Sequence, residues 1–357
     1  MSRTARDSAP ESDAYEGAPH PREASSLVGH AAAEAELLDA YRAGRLAHAW
    51  LIGGPAGIGK ATLAWRFARF ILAHPDPSAP DVQAASDLSV SGAAPAVRQI
   101  LAQAHPDVAA LRRLWNADRK TFYADIRVED VRRALQLFQK SAGAGGWRIC
   151  IVDTIEDLNR AGANALLKMI EEPPANALFL ILAHRPGLAL PTIRSRCRRL
   201  QLDPLSPDEI ARVMGGLGPP WRAIGEAQRA AIASAANGSV REALKRVDPE
   251  RAEIEAMIAA AIAELPSADG RAVHKLAETV SARGADDAFE DLNLALYDWL
   301  AGRAEAKAGE GARRLAPLAD LWDKARAATR DAETYNLDKR LHVLSLFAEL
   351  SAAARRL

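Results

Sequence analysis

Ile52-Gly53-Gly54-Pro55-Ala56-Gly57-Ile58-Gly59-Lys60-Ala61-Thr62 decides the fold. The apolar run Ala49–Gly53 leads into it and is long enough for a buried strand, while Ala61–Ala73 behind it has helical spacing. Gly54, Gly57 and Gly59 let backbone N–H groups turn inward around an anion. The helix start adds its positive dipole end, and Lys60 reaches the outer phosphates. Gly-x4-Gly-Lys is the spacing of a phosphate-binding loop. One position departs from it. The loop calls for Ser or Thr directly after the Lys, because that hydroxyl binds Mg²⁺, and Ala61 stands there. Thr62 comes one residue late, about 100° around a helix, so it does not simply substitute. A Gly-rich strand-to-helix turn that binds nothing has the same sequence signature, and ATP or ADP binding stays open at this point.

Composition narrows the class. The chain has 357 residues, too many for one ordinary core, so two or three domains are expected. Hydrophobic residues make up 49% and charged residues 26%, as in a folded globular protein. The formal net charge of zero argues against strong autonomous nucleic-acid binding. Cys150 and Cys197 offer neither a disulfide framework nor zinc spacing, which fits a reducing, cytoplasmic setting. No window approaches the 18 or so apolar residues of a membrane span, and the N-terminus lacks the apolar core of a signal peptide.

Residues 1–24 are polar and nearly devoid of large apolar side chains, which predicts a disordered tail. The helix from Lys60 carries Leu63, Phe67, Phe70 and Ile71 on one face, a core-facing pattern. Residues 74–95 lack periodicity and read as an exposed insertion, with a short helix at 97–104. Pro106–Arg112 supplies a second strand, 116–123 reads as loop, and Val128–Lys140 as an amphipathic helix ended by Ser141–Gly146. Trp147–Asp153 is an apolar strand ending in Asp, the Walker B pattern, in which the Asp positions Mg²⁺ through water. Active ATPases of this class place Glu next; Thr154 stands there, and Glu156 comes two residues further on. Read alone, Asp153 is equally a helix N-cap or strand-end turn residue. Asn159–Glu172 is a helix stopped by Pro173-Pro174. Ala177–Ala183 is a strand buried on both faces, and Leu200–Leu202 closes a parallel sheet. Strands alternating with helices over 27–203 predict a three-layer α/β domain.

Beyond Pro204, three short helices are expected at 207–214, 226–236 and 239–247, the first opened by the capping box Ser206-Pro-Asp-Glu209, and the third carrying Arg241 near its start. Five more follow near 252–264, 269–283, 286–307, 313–330 and 338–355, with breaks at Pro266, Gly284, Gly309–Gly311 and Asn336. Their apolar faces, such as Leu292, Leu296, Trp299 and Leu300, pack either internally or against partners.

Leu27-Val-Gly-His30, Arg45–Trp50, the Gly54–Lys60 loop, Asn164-Ala-Leu-Leu-Lys168 with Glu171-Glu-Pro-Pro174, and Ser195-Arg-Cys197 together resemble the clamp-loader branch of the AAA+ superfamily, over about residues 25–250. The resemblance implies an AAA+ domain at 25–203, a helical lid at 204–250 and an all-α collar for oligomerisation at 251–357. It implies a hetero-oligomeric ring with gamma/tau-type ATPase subunits and a delta-type subunit, acting on a sliding clamp and primer-template DNA, with no membrane partner. The family's hydrolysing subunit keeps Ser or Thr after the Lys, Glu after the Walker B Asp, a polar sensor after the strand matching 177–183, and a four-cysteine zinc module. Here those places hold Ala61, Thr154, Ala183-His184 and a cysteine-free 74–104, so no zinc and no required cofactor are expected. Arg196 survives, and in this family that Arg points into the neighbouring subunit's ATP site as an arginine finger. The nucleotide-facing set implied is Gly54, Gly57, Gly59, Lys60, Ala61, Thr62, Asp153 and Arg241. Three functions compete: a non-hydrolysing stator that lends Arg196, a self-sufficient ATPase using Thr62 and Glu156 in displaced roles, and a pure scaffold in which Arg196 pairs with Asp203 or a helix end. Arg194, Arg198 and Arg199 read either as a phosphate-facing cluster or as a solvated strand edge.

Overall fold

The computed structural model describes residues 9–139, 146–265, 267, 269–306, 312–335 and 337–355. The expected breaks at Pro266, Gly309–Gly311 and Asn336, and most of the helix end at Ser141–Gly146, lie outside the described residues. The chain divides into two compact units, Met1–Leu244 and Lys245–Leu357. The division falls a few residues before the expected lid–collar boundary at 250/251.

In the first unit a 3-10 turn at Pro21–Glu23 precedes α1 (Ala31–Arg42), β1 (Ala49–Gly53), α2 (Lys60–Ala73), α3 (Pro80–Ala84) and α4 (Pro95–Leu101). Next come β2 (Val108–Leu111), a hairpin of β3 (Trp115–Asn116) and β4 (Thr121–Phe122), α5 (Val128–Leu135) with a 3-10 continuation to Gln139, and β5 (Arg148–Val152). The unit finishes with α6 (Arg160–Glu171), β6 (Ala177–Ala183), α7 (Pro191–Arg194), β7 (Arg198–Gln201), α8 (Pro207–Gly216), α9 (Glu226–Ala235) and α10 (Val240–Lys245). Five parallel strands form one sheet in the order β2-β5-β6-β1-β7, with β6 central and β1 beside it.

Both faces of that sheet are covered, which is why β1 and β6 are apolar at nearly every position. Side chains alternate between two cores. Trp50, Ile52, Leu178 and Leu180 face α1 and α2 with Leu63, Phe67 and Ile71. Leu51, Phe179 and Ile181 face the other way, with Val131 of α5 and Leu166 and Ile170 of α6. The register, Ala49 opposite Phe179 through Gly53 opposite Ala183, brings the carboxyl ends of β1 and β6 level.

The second unit contains α11 (Pro249–Ala263), α12 (Gly270–Val280), α13 (Asp286–Ala306), α14 (Ala312–Thr334) and α15 (Lys339–Ala354). Leu292, Leu296 and Leu300 pack inside it with Leu276, Leu346 and Phe347, so those apolar faces serve an internal core. Trp299 is partly buried against the same cluster.

Three expectations are corrected. Residues 9–24 are not a free tail. Asp13 and His20 keep only 2% and 4% of their side-chain surface exposed. His20 Nε2 lies 3.0 Å from Glu11 Oε2 and 3.2 Å from Asp13 Oδ2, and Arg112, just past β2, pairs with both carboxylates at 3.3 Å. Tyr15 stands edge-on to Trp221, and His20 to Trp65 of α2. Polarity predicted disorder, but these charges pair with one another and so can be buried. Residues 74–104 do not form a wholly exposed insertion either. Val82 and Leu88 are 0% and 1% exposed and join the α1–α2 core. The supposed loop at 116–123 holds the β3–β4 hairpin, closed by Trp115 against Phe122 with centroids 5.2 Å apart.

Removing residues 1–20 is therefore expected to lower the urea midpoint by the equivalent of about 2–3 kcal/mol, since it strands Arg112 and bares Trp65 and Trp221. An unchanged midpoint would restore the disordered-tail reading.

Candidate nucleotide crevice

The loop after β1 is shaped by residues without side chains. Gly54 sits at φ +143°, and a Cβ there would meet the Leu202 carbonyl oxygen at 2.6 Å. Gly57 sits at φ +75°, and its Cβ would collide with Ser239 Oγ and, at 2.5 Å, with Arg241 Cβ. The start of α10 lies that close because the Val240 N–H donates to the Gly57 carbonyl at 3.0 Å. Gly59 is the left-handed N-cap of α2. Lys60, the first residue of that helix, is 3% exposed. Its ammonium donates to the Gly54 carbonyl at 2.7 Å and the Pro55 carbonyl at 2.5 Å. Burial pulls its pKa down to about 8, against the opposing pull of Asp153 and Glu156. Ala61 packs partly buried against the α1–α2 core, and Thr62 is half-buried beside it.

Asp153 follows the end of β5 and donates its N–H to the Leu111 carbonyl at 2.8 Å. Part of its surface stays open, yet protein surrounds the carboxyl. Burial, then the neighbouring carboxylates of Asp13 and Asp157, push its pKa up to about 7, with Lys60 and Arg241 opposing. Thr154 beside it is buried. Glu156 lies in a 3-10 turn at Ile155–Asp157, where its Oε1 accepts the Arg185 N–H at 2.7 Å. That carboxylate thus holds the turn after β6. His184 keeps exposed surface, but desolvation and the cations Lys60, Arg241 and Arg185 hold it well below the usual histidine range, so the ring is neutral. Lys60, Asp153, His184 and Arg241 thus share one electrostatic neighbourhood at the carboxyl ends of β1, β5 and β6, where parallel sheets bind ligands.

Arg196 sits apart from this group, just after α7. Its Nη1 donates to the Thr192 carbonyl at 3.0 Å and to Ser195 Oγ at 3.4 Å. Its Nη2 is 2.8 Å from Glu171 Oε1, at the end of α6, and both side chains are about two-fifths exposed. Of the expected alternatives, Asp203 or a helix end, Arg196 meets the second, since Glu171 is the last residue of α6. Its neighbours diverge. Arg194 donates to the Gly187 carbonyl, while Arg198 pairs with Glu36 and lies over the Trp50 ring. Arg199 is exposed on the edge strand β7.

Asp13 is the neighbour of Asp153 that the sequence did not flag. No spacing ties it to the loop; the only cue was a carboxylate in a segment read as disordered. Glu11, Asp13 and His20 are also the one group of potential metal ligands among the described residues, with ligand atoms within 4.8 Å of one another. In spite of burial, both carboxyls lie below the usual carboxylate range, Glu11 held there by Arg22 and then Arg112, and Asp13 by its hydrogen bond with His20 and then Arg112, so the cluster is an ion-pair network.

The family described as "DNA polymerase III, delta subunit" matches residues 29–206. A DNA polymerase III subunit delta' from Pseudomonas aeruginosa is 34% identical over 151 residues, 42% of each chain. The subunit of the same name from Escherichia coli is 32% identical over 49% of this chain and 48% of that one. A DNA polymerase III subunit gamma/tau from Mycobacterium bovis is 30% identical over 64% of this chain and 37% of that one. The chain thus spans less than half the length of the curated relatives it matches. Among the described residues no helix is long and apolar enough to cross a membrane.

The raised pKa of Asp153 has a stability consequence with a definite sign. Its folded value near 7 exceeds the unfolded value near 4, so the stability it confers is complete below about pH 4 and is lost as pH rises to 7. Asp153→Asn removes that loss. The variant's unfolding midpoint should gain on the parent between pH 4 and 7 and level off above, in metal- and nucleotide-free buffer. A constant difference across that range would show that the carboxyl titrates normally.

Proposed function

Because the chain belongs to the clamp-loader family of DNA polymerase III subunits, we propose that it is a delta-prime-type, non-hydrolysing subunit of a cytoplasmic clamp-loader complex. In this reading it helps load a sliding clamp onto primer-template DNA beside gamma/tau-type ATPase subunits and a delta-type subunit. The observation that carries the proposal is a contrast between two places. At the chain's own crevice Ala61 stands where a Mg²⁺-binding hydroxyl is needed, and Thr154 where a water-orienting carboxylate is needed. Just past α7, Arg196 is kept, about two-fifths exposed and held by Thr192, Ser195 and Glu171. A subunit that loses what hydrolysis needs at home and keeps what a neighbour needs acts by position.

The groups that remain, Gly54, Gly57, Gly59, Lys60, Asp153 and Arg241, are those that would face ADP or ATP. Turnover requires neither zinc nor nucleotide from this chain. The second unit, α11–α15, serves in this proposal as the collar through which the subunits assemble. The self-sufficient ATPase reading loses support because Glu156 is already committed to the Arg185 N–H. The pure-scaffold reading keeps one observation in its favour, the pairing of Arg196 with Glu171 inside the same chain.

A planar guanidinium that holds two oxygens at once suits the charge spreading over a transferring γ-phosphate. The isolated chain should turn over no ATP beyond a Lys60→Ala control. In the reconstituted complex, Arg196→Ala should leave subunit stoichiometry intact and lower clamp- and DNA-stimulated ATPase by roughly 2- to 10-fold. A single finger is worth about 10³–10⁵ at its own site, but the other sites keep theirs. Arg194→Ala and Arg198→Ala should matter much less. Stimulated turnover unchanged by Arg196→Ala would leave the scaffold reading standing.

A further inference from the structure

Glu171 and Glu172 end α6, immediately before Pro173-Pro174, and nothing so far accounts for them. Helix stability does not. A carboxylate in the last turn faces the negative end of the helix dipole and weakens the helix, where a basic residue would strengthen it. Yet the position of Glu171 is firmly held. Leu166 and Ile170 on the same helix are 0% and 1% exposed in the second core, and the prolines stop the helix at this point. Glu172 is exposed; Glu171 reaches across to Arg196.

The guanidinium is therefore gripped from two sides. Its Nη1 donates to the Thr192 carbonyl of the four-residue α7 and to Ser195 Oγ just past it, and its Nη2 lies 2.8 Å from the carboxylate that ends α6. Arg carries five N–H donors in a rigid fork. Among the described residues, the Nε–H and the Nη2–H groups make no hydrogen bond, so donors for two oxygens of a phosphate remain on the fork. A free arginine side chain would instead spread over many rotamers, and that freedom would have to be lost at each catalytic encounter.

We propose that Glu171 is the positioning residue for Arg196, fixing the guanidinium on the end of α6 with its remaining edge turned outward to a neighbouring subunit's phosphate. The Glu171-Glu-Pro-Pro174 run then has a physical role, in which the prolines place the carboxylate and the carboxylate aims the arginine. The inference rests on the arginine-finger reading above. Glu171 touches neither nucleotide nor reacting atoms and acts only through Arg196.

The test uses the whole complex, reconstituted with gamma/tau-type and delta-type subunits, clamp, primed DNA and ATP. Glu171→Ala, Glu171→Gln, Arg196→Ala and the double Ala variant are compared by kcat and KM for ATP. A half-exposed ion pair is worth a factor of about 2–5 in rate, so Glu171→Ala should lower stimulated kcat by that factor with KM unmoved. Glu171→Gln keeps an acceptor oxygen at the same reach and should recover most of the loss. Adding Glu171→Ala to Arg196→Ala should change nothing further, because the group being aimed is gone. Full or raised kcat in Glu171→Ala, with Arg196→Ala impaired, sinks the positioning role and leaves the finger reading intact. A double variant slower than Arg196→Ala by the same factor also sinks it, since Glu171 would then act without Arg196. If Arg196→Ala itself has full kcat, the finger reading fails and the positioning role goes with it.

Discussion

A charged ammonium with 3% of its surface exposed must find acceptors inside the protein, and Lys60 sets that constraint for the whole α/β unit. Two carbonyls, those of Gly54 and Pro55, turn inward to accept it. They do so only because the loop takes left-handed turns that side chains would block. With those carbonyls facing inward, the Gly57 carbonyl remains to accept from Val240, and α10 docks on the loop. The strand ends, the loop and the start of α10 are therefore one arrangement around one buried charge.

Carboxylates and cations share the same crevice. Asp153 feels both Asp13 and Asp157, and its carboxyl holds its proton to a higher pH than usual. Asp13 belongs to an N-terminal strap that runs from Arg112, past β2, to Trp221 beyond α8.

Much of the fold was legible because its signals are local. β1 and β6 show as unbroken apolar runs, since both faces of a parallel sheet are covered, and their observed limits, Ala49–Gly53 and Ala177–Ala183, follow the runs residue by residue. The capping box at Ser206 and Glu209 fixed the start of α8 in the same way. Val82 and Leu88 were missed because they are isolated apolar residues in a stretch without period; what buries them is a groove made by other elements. The strap was missed for a related reason. Glu11, Asp13, His20 and Arg112 read as solvated charges one at a time and become burial-competent only as a set.

By itself, the sequence determined the main strands and helices of the sheet layers, the phosphate-type loop, the Asp at the end of β5 and the presence of Ala61 and Thr154 beside them. Periodicity and short motifs encode these within a dozen residues. Only the tertiary structure decided who meets whom across long separations. It set Asp13 near Asp153, Glu156 on the Arg185 N–H, and Glu171 against Arg196. Such pairs leave no spacing in the chain, because the sheet order and the packing of α6 against its neighbours bring them together.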